Sequence, residues 1–167
     1  MNVRIRPLRA SDAARLYAIE SQPEMVRYQD FEARTAESAR DYCQRAIEAA
    51  LATPRTWFEF AVTQESDELI ARVGAGIDGD SAWLWYAVDP EYQGRGIAKA
   101  AVTLLIGQLP VTTLRIECDP RNLASCRVAE GLDFRIESEG EVLVNGEQAP
   151  SRVYSRSRIV QVHSRTP

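Results

Sequence analysis

Three strand-like runs, 57–63, 68–77 and 82–88, are separated only by the short turns Gln64-Glu65-Ser66-Asp67 and Asp78-Gly79-Asp80. A parallel crossover needs a dozen or more residues, so these runs are confined to an antiparallel meander. Along the last run, alternation puts Trp83, Trp85 and Ala87 on one face and Leu84, Tyr86 and Val88 on the other. Asp89-Pro90 ends that run, because proline cannot extend the ladder. Whatever follows therefore departs from the end of an antiparallel strand.

The flanking segments supply helices. Residues 3–8 alternate apolar and charged side chains as a half-buried strand does, and Ser11 is the expected cap of a helix running to about Glu20. Residues 21–34 carry Pro23 and read as a loop or broken helix. Thr35 begins a clearer helix, with Ala39, Tyr42, Cys43, Ala46, Ile47 and Ala50 at steps of three and four, ended by Pro54. A helix after Gly94-Arg95-Gly96 is expected to run to about Leu109 with Ile97, Ala101, Val102 and Leu105 inward. A strand at 113–118, a short helix from Asn122 to Glu130, and strands at 134–144 and 152–157 around Asn145-Gly146 complete the chain. The expectation is one α/β domain over 1–160: a mixed, mostly antiparallel sheet of six to seven strands with helices on both faces. Residues 161–167 are expected to be a frayed tail.

Composition narrows the function classes. Of the 20 basic residues, 19 are arginine and one is Lys99; 24 acids leave a net charge of −4. A chain with no basic excess is not a general nucleic-acid binder. Residues 151–167 do hold Arg152, Arg156, Arg158 and Arg165 without an acid, a weak cue for RNA or an acidic partner beside the plainer reading of a solvated strand face. No apolar run approaches the roughly 18 residues that span a bilayer, and residues 1–9 have no signal-peptide pattern. Three unpaired-looking cysteines, Cys43, Cys118 and Cys126, argue against a disulfide framework and for a reducing cytoplasm. With one histidine, His163, neither a multi-histidine metal site nor a serine-histidine triad is readily assembled, so no metal is expected.

The segment Val88-Asp89-Pro90-Glu91-Tyr92-Gln93-Gly94-Arg95-Gly96-Ile97-Ala98-Lys99 joins a strand end to a helix start. The first amides of such a helix have no intrahelical partner, and with the helix dipole they favour an anion. Three phosphate-binding readings compete. The Gly-Lys-Ser/Thr of a Walker loop is absent. In a Gly-x-Gly-x-x-Gly/Ala dinucleotide fingerprint the last position would be Lys99, and the preceding strands are antiparallel. The third is the pyrophosphate of coenzyme A, and beside all three stands the plainer reading that the two glycines merely cap a turn.

Gln93-x-x-Gly96-x-Ala98 after Tyr86-x-Val88-Asp89-Pro90 resembles the acetyl-CoA signature of the GNAT superfamily of N-acetyltransferases. Glu117-Cys118-Asp119-Pro120-Arg121-Asn122-Leu123-Ala124-Ser125 is similar to the strand-to-helix segment of the same superfamily, and Phe134 falls where its closing aromatic does. The Asn-x-x-Ser form most resembles the subgroup that includes ribosomal-protein N-terminal acetyltransferases. The resemblance implies that the amides of Gly94, Arg95, Gly96, Ile97 and Ala98 hold the pyrophosphate of acetyl-CoA. It also implies that the Val88 backbone meets the pantetheine arm or the thioester carbonyl where two strands splay apart. Arg95 and Lys99 would add charge beside the phosphates, and Gln93 either contacts the coenzyme or holds the turn.

Two departures stand out. Many relatives carry a tyrosine seven residues after the asparagine, as proton donor to the leaving thiolate; here that residue is Ala129. The usual glycine before the closing aromatic is Asp133. Ser125 then becomes the leading candidate for protonating the thiolate. Asn122 caps its helix, contacts the coenzyme, or does both. Glu117 is the candidate base, or else a surface carboxylate paired with a neighbouring arginine. Cys126 lacks a nearby histidine to activate it, and the family transfers acetyl directly. The implied function is acetyl transfer to a primary amine, either a protein or peptide N-terminus or a small amine, by a cytoplasmic monomer or homodimer without a membrane partner. The competing class is a non-enzymatic CoA-binding or interaction module.

Overall fold

The computed structural model describes residues 2–29 and 31–158; the expected tail, with His163 and Arg165, lies outside the described residues. Seven strands, β1 (Arg4–Pro7), β2 (Trp57–Thr63), β3 (Leu69–Asp78), β4 (Ser81–Val88), β5 (Thr113–Cys118), β6 (Arg135–Val144) and β7 (Glu147–Ser157), form one sheet in the order β1-β2-β3-β4-β5-β7-β6. Every neighbouring pair is antiparallel except β4 and β5. Five α-helices, α1 (Ala13–Glu20), α2 (Pro23–Val26), α3 (Ala36–Leu51), α4 (Ile97–Ile106) and α5 (Leu123–Glu130), accompany it.

Alternation along the strands divides the apolar residues between two cores. Phe58, Phe60 and Val62 of β2 join Leu84 of β4 and the buried residues of α4 and α5, whereas Ala61 joins α1 and α3. Helices therefore cover both faces. The inward stripe of α4 is the expected Ile97, Ala101, Val102 and Leu105. That of α3 is Ala39, Tyr42, Cys43 and Ala46.

The helix starts show where local reading works and where it fails. Thr35 caps α3 as expected: its hydroxyl accepts from the Ser38 amide at 3.1 Å, and the Ser38 hydroxyl accepts from the Thr35 amide at 3.0 Å. Ser11 does not cap α1. It lies in a 3₁₀ turn, and Asp12, the residue before the helix, makes no capping bond into α1 either: its carboxylate accepts from the Arg9 amide at 2.8 Å and pairs with Arg6 of β1 at 2.7 Å. The helix α4 ends at Ile106, short of Leu109, because the Arg158 guanidinium donates to the carbonyls of Ile106, Leu109 and Val111. The β6–β7 turn is Asn145-Gly146, with φ of 51° and 84°, the left-handed pair that a two-residue hairpin turn requires.

Candidate active site

The only parallel pairing in the described sheet is short. Strands β4 and β5 are joined over four residue pairs, from Ser81 with Thr113 to Leu84 with Ile116. Beyond that, β4 stays with β3 as far as Val88, and Glu117 and Cys118 of β5 stay with β7. The sheet therefore splits between Trp85–Val88 and Glu117–Cys118. Asp89 donates its amide to the Ile70 carbonyl at 3.0 Å. Hydrogen-bonding direction alternates along an antiparallel strand, so the Tyr86 and Val88 amides turn from β3 into the split.

One mouth of the split meets the start of α4. Gly94 and Gly96 have φ of 72° and 75°, and a side chain at either would meet open space. Backbone conformation, not crowding, calls for glycine here. Among the described residues, no amide from Gly94 to Lys99 donates to a loop or cap carbonyl, which leaves a run of free donors at the positive end of the helix. The Arg95 guanidinium lies 5.4 Å from the Tyr92 ring centroid and is exposed. Lys99 leans across to α5; its ammonium would sit 3.4 Å from a Cβ at Gly131, near that helix's negative C-terminal end. Gln93 holds the turn, its side-chain amide donating to the Val88 carbonyl at 3.0 Å. Buried Asp89 anchors the loop, accepting from the Glu91 amide at 3.0 Å and pairing with Arg15 of α1.

The other mouth opens into a cavity of about 710 Å³ on the α1–α3 side of the sheet. Tyr28, Phe31, Trp83 and Trp85 contribute aromatic surface, and Leu143 of the β6–β7 hairpin closes one side. Glu117 faces this cavity, and the buried Ser151 donates to its carboxylate at 2.5 Å. The neighbouring arginines are engaged elsewhere: Arg115 makes a two-pronged pair with Glu137 at 2.8 and 3.0 Å, and Arg121 pairs with Asp119. Among the described residues Glu117 has no ion pair, so the reading as one half of a surface pair does not describe it.

Beneath the cavity lies a buried charge cluster that local sequence reading missed. Glu20, 1% exposed, takes Arg34 and Arg72 on its two oxygens. Arg72 also reaches Tyr42 at 3.2 Å and Glu59 at 3.5 Å, and the Trp85 indole donates to Glu59 at 2.7 Å. Burial pushes the Glu59 carboxyl above its ordinary range, opposed by the Arg72 charge and the Trp85 and Tyr42 bonds. The cluster crosses the strand over Gly74, where a Cβ would come within 2.3 Å of the Trp85 nitrogen and 2.7 Å of the Phe58 carbonyl. Only hindsight makes Gly74 legible, as a glycine inside a strand where other groups approach closely.

Asn122 caps α5, its side-chain oxygen accepting from the Ser125 amide at 3.2 Å. Ser125 sits in the first turn, and its hydroxyl lies 2.7 Å from the phenol oxygen of Tyr86. Ala129, one turn on, is fully buried. Cys118 and Cys126 are buried with their sulfurs 3.8 Å apart, and burial raises the Cys118 thiol to about 12, which keeps it protonated. Tyr154 is buried and donates to Glu130 at 3.0 Å, on the α5 side of the sheet and away from the cavity. The C-terminal arginines within the described residues are spent internally: Arg152 on Glu139, Arg156 on the Leu132 carbonyl, and Arg158 on the end of α4. That gives these three arginines of the local basic excess a structural use. Among the described residues, no group of three or more His, Cys, Asp or Glu could hold a metal ion, and no helix is long and apolar enough to cross a membrane.

Comparison with known proteins agrees with this geometry. A family model described as an acetyltransferase (GNAT) domain matches residues 2–135. No curated protein matches the chain in sequence. Among solved structures, the ribosomal-protein-S5-alanine acetyltransferase from Vibrio fischeri superposes with a TM-score of 0.81 at 20% identity, over 94% of this chain and 93% of that one. An acetyltransferase from Salmonella typhimurium that modifies the N-terminal serine of ribosomal protein L7/L12 gives 0.82 at 19%, over 95% and 96%. Mycobacterium smegmatis RimJ, in complex with a CoA disulfide, gives 0.77 at 21%, over 93% and 81%. At these identities the superpositions show a shared fold.

Proposed function

The chain belongs to the GNAT acetyltransferase family, and we propose that it moves the acetyl group of acetyl-CoA directly onto a primary amine in a ternary complex. The observation that carries this reading is the split itself, which joins free amides before α4 to a cavity holding an unpaired carboxylate. In this reading the amides of Gly94, Arg95, Gly96, Ile97 and Ala98 take the pyrophosphate, with Arg95 and, more remotely, Lys99 adding charge. The Val88 amide meets the pantetheine or the thioester carbonyl, where a fixed donor aimed at a developing oxyanion is a large catalytic term. Gln93 and Asn122 act by shaping the loop and capping α5.

The amine enters from the cavity side. At pH 7 a neutral α-amine costs about 1 kcal/mol and a neutral lysine about 4–5 kcal/mol, from their ordinary pKa values. A single exposed carboxylate suits the easier task, so a peptide N-terminus or a weakly basic small amine is the favoured acceptor. One of the compared structures is of an enzyme that modifies the N-terminal serine of a ribosomal protein, which supports the same choice. Nitrogen attacks the acetyl carbon, the C–S bond breaks with its electron pair going to sulfur, and Glu117 takes the proton shed by nitrogen. Ser125 protonates the thiolate and recovers a proton through water.

The test is thiol release from acetyl-CoA over a panel of peptides with free N-termini and small amines, alongside calorimetric CoA binding. Turnover on an amine is expected; Ser125→Ala should then lower kcat by about 10²–10⁴-fold, the usual contribution of a general acid, with CoA affinity preserved. Tight binding with no turnover on any amine would instead favour a CoA-binding module, and absence of binding would end the reading.

A further inference from the structure

The loss of the family's tyrosine at position 129 leaves a question the fold itself answers. Tyr86 comes from β4, inside the split, and is two residues before Val88. Its single phenol proton reaches the first turn of α5, where the Ser125 hydroxyl at 2.7 Å and the more distant Ser125 carbonyl at 3.2 Å are alternative acceptors for it. It packs against the same core as Cys126 and Ala129.

We propose that Tyr86 is a positioning residue for the transfer reaction: its phenol holds the Ser125 hydroxyl so that the serine proton is presented to the coenzyme sulfur. This rests on the assignment of Ser125 made above. The direction of the short bond follows from acidity. A phenol is a far stronger hydrogen-bond donor than an alkyl hydroxyl, so the 2.7 Å contact is best made with Tyr86 donating and Ser125 accepting. Ser125 then keeps its own proton for a third atom. A free serine hydroxyl rotates to suit its surroundings, and this contact removes most of that freedom. Burial pushes the Tyr86 phenol above the ordinary tyrosine range, so it stays neutral, with its proton on the contact to Ser125, while the coenzyme thiol titrates. The pair divides one task between two elements: an orienting donor on the split strand and a proton carrier on the helix.

The experiment needs no acceptor amine. The protein is loaded with CoA, and the pH midpoint of the bound thiol is read from ultraviolet thiolate absorbance, as a difference against the same protein loaded with desulfo-CoA. If the hydroxyl pair donates to sulfur, the bound thiol of the unaltered protein titrates at lower pH than free CoA. Tyr86→Phe keeps the ring packing and should move the midpoint back up by about one pH unit, a tenfold change in the thiol's acidity. Ser125→Ala should move it at least as far, and the double variant no further than Ser125→Ala alone, because Tyr86 acts only through Ser125. A midpoint unchanged in Tyr86→Phe, or two shifts that simply add, would overturn the assignment. CoA binding with a thiol midpoint equal to that of free CoA would overturn it too, while leaving acetyl transfer standing. Failure to bind CoA would instead remove the broader reading beneath it.

Discussion

The end of the split proposed for the coenzyme draws its donors from consecutive backbone amides between Gly94 and Lys99, whereas the end proposed for the acceptor is walled by side chains from α3, six strands and the loops beside them. The first end carries little buried charge and is shaped by two left-handed glycines and one anchoring aspartate. The second rests on two buried carboxylates and two arginines that share them. A surface made of amides recognises a feature common to every CoA ester. A surface made of side chains is where a family can change its acceptor without touching the coenzyme. The difference also predicts that injuries to the two ends have different signatures.

The largest effect is expected at the acceptor end. Arg72→Met removes the cation shared by Glu20 and Glu59 and leaves buried carboxylates undercompensated, a loss of about 3–5 kcal/mol and roughly 10 °C in Tm. The loss should depend on pH. Burial already raises the Glu59 carboxyl above its ordinary value, and losing Arg72 raises it further. A carboxyl raised in the folded state contributes its full stability below its ordinary value of 4.5 and loses it as pH climbs through the folded value. The deficit of the variant should therefore be greatest at neutral pH and narrow on acidification. Thermal melts across a pH series check this, and a deficit independent of pH would show that the cluster is not charged.

Gly96→Ala probes the other end with a smaller effect and an opposite signature. Alanine at φ 75° costs about 1–2 kcal/mol, with nothing nearby for the methyl to strike. The fold should persist, while calorimetry finds CoA bound about tenfold more weakly, equivalent to about 1.4 kcal/mol. A normal CoA affinity in this variant would erase the contrast between the two ends.

The smallest expected effect lies at neither end. Asp133 holds φ of 62°, in the left-handed region that favours glycine, and Phe134 beside it packs at 2% exposure. Asp133→Gly should relieve that conformation by less than about 1 kcal/mol, a rise of about 2 °C in Tm with unchanged turnover.

The same contrast explains what could be read from the sequence. The meander, the α3 cap at Thr35, the α4 stripe, the Asn145-Gly146 turn and the Asn122 cap are set by neighbours along the chain, and each stands where local reading puts it. So does the glycine loop before α4, because one contiguous segment forms it. The buried cluster joins Glu20, Arg34, Tyr42, Glu59, Arg72 and Trp85 from six separate stretches, and no spacing announces it. For the same reason the sequence around Ser11 does not announce that Arg6 engages Asp12, nor does the sequence around Tyr86 announce its contact with Ser125. Ser151 gives no local hint that it serves Glu117.

Four residue pairs are all that fasten one side of this sheet to the other along β4 and β5. In mechanical terms the sheet is a pair of tongs, four strands on one arm and three on the other, with the pivot at Ser81–Leu84. A coenzyme arm lying in the split would supply the missing rungs of the ladder, so that the molecule is stiffest when loaded and loosens as each product leaves.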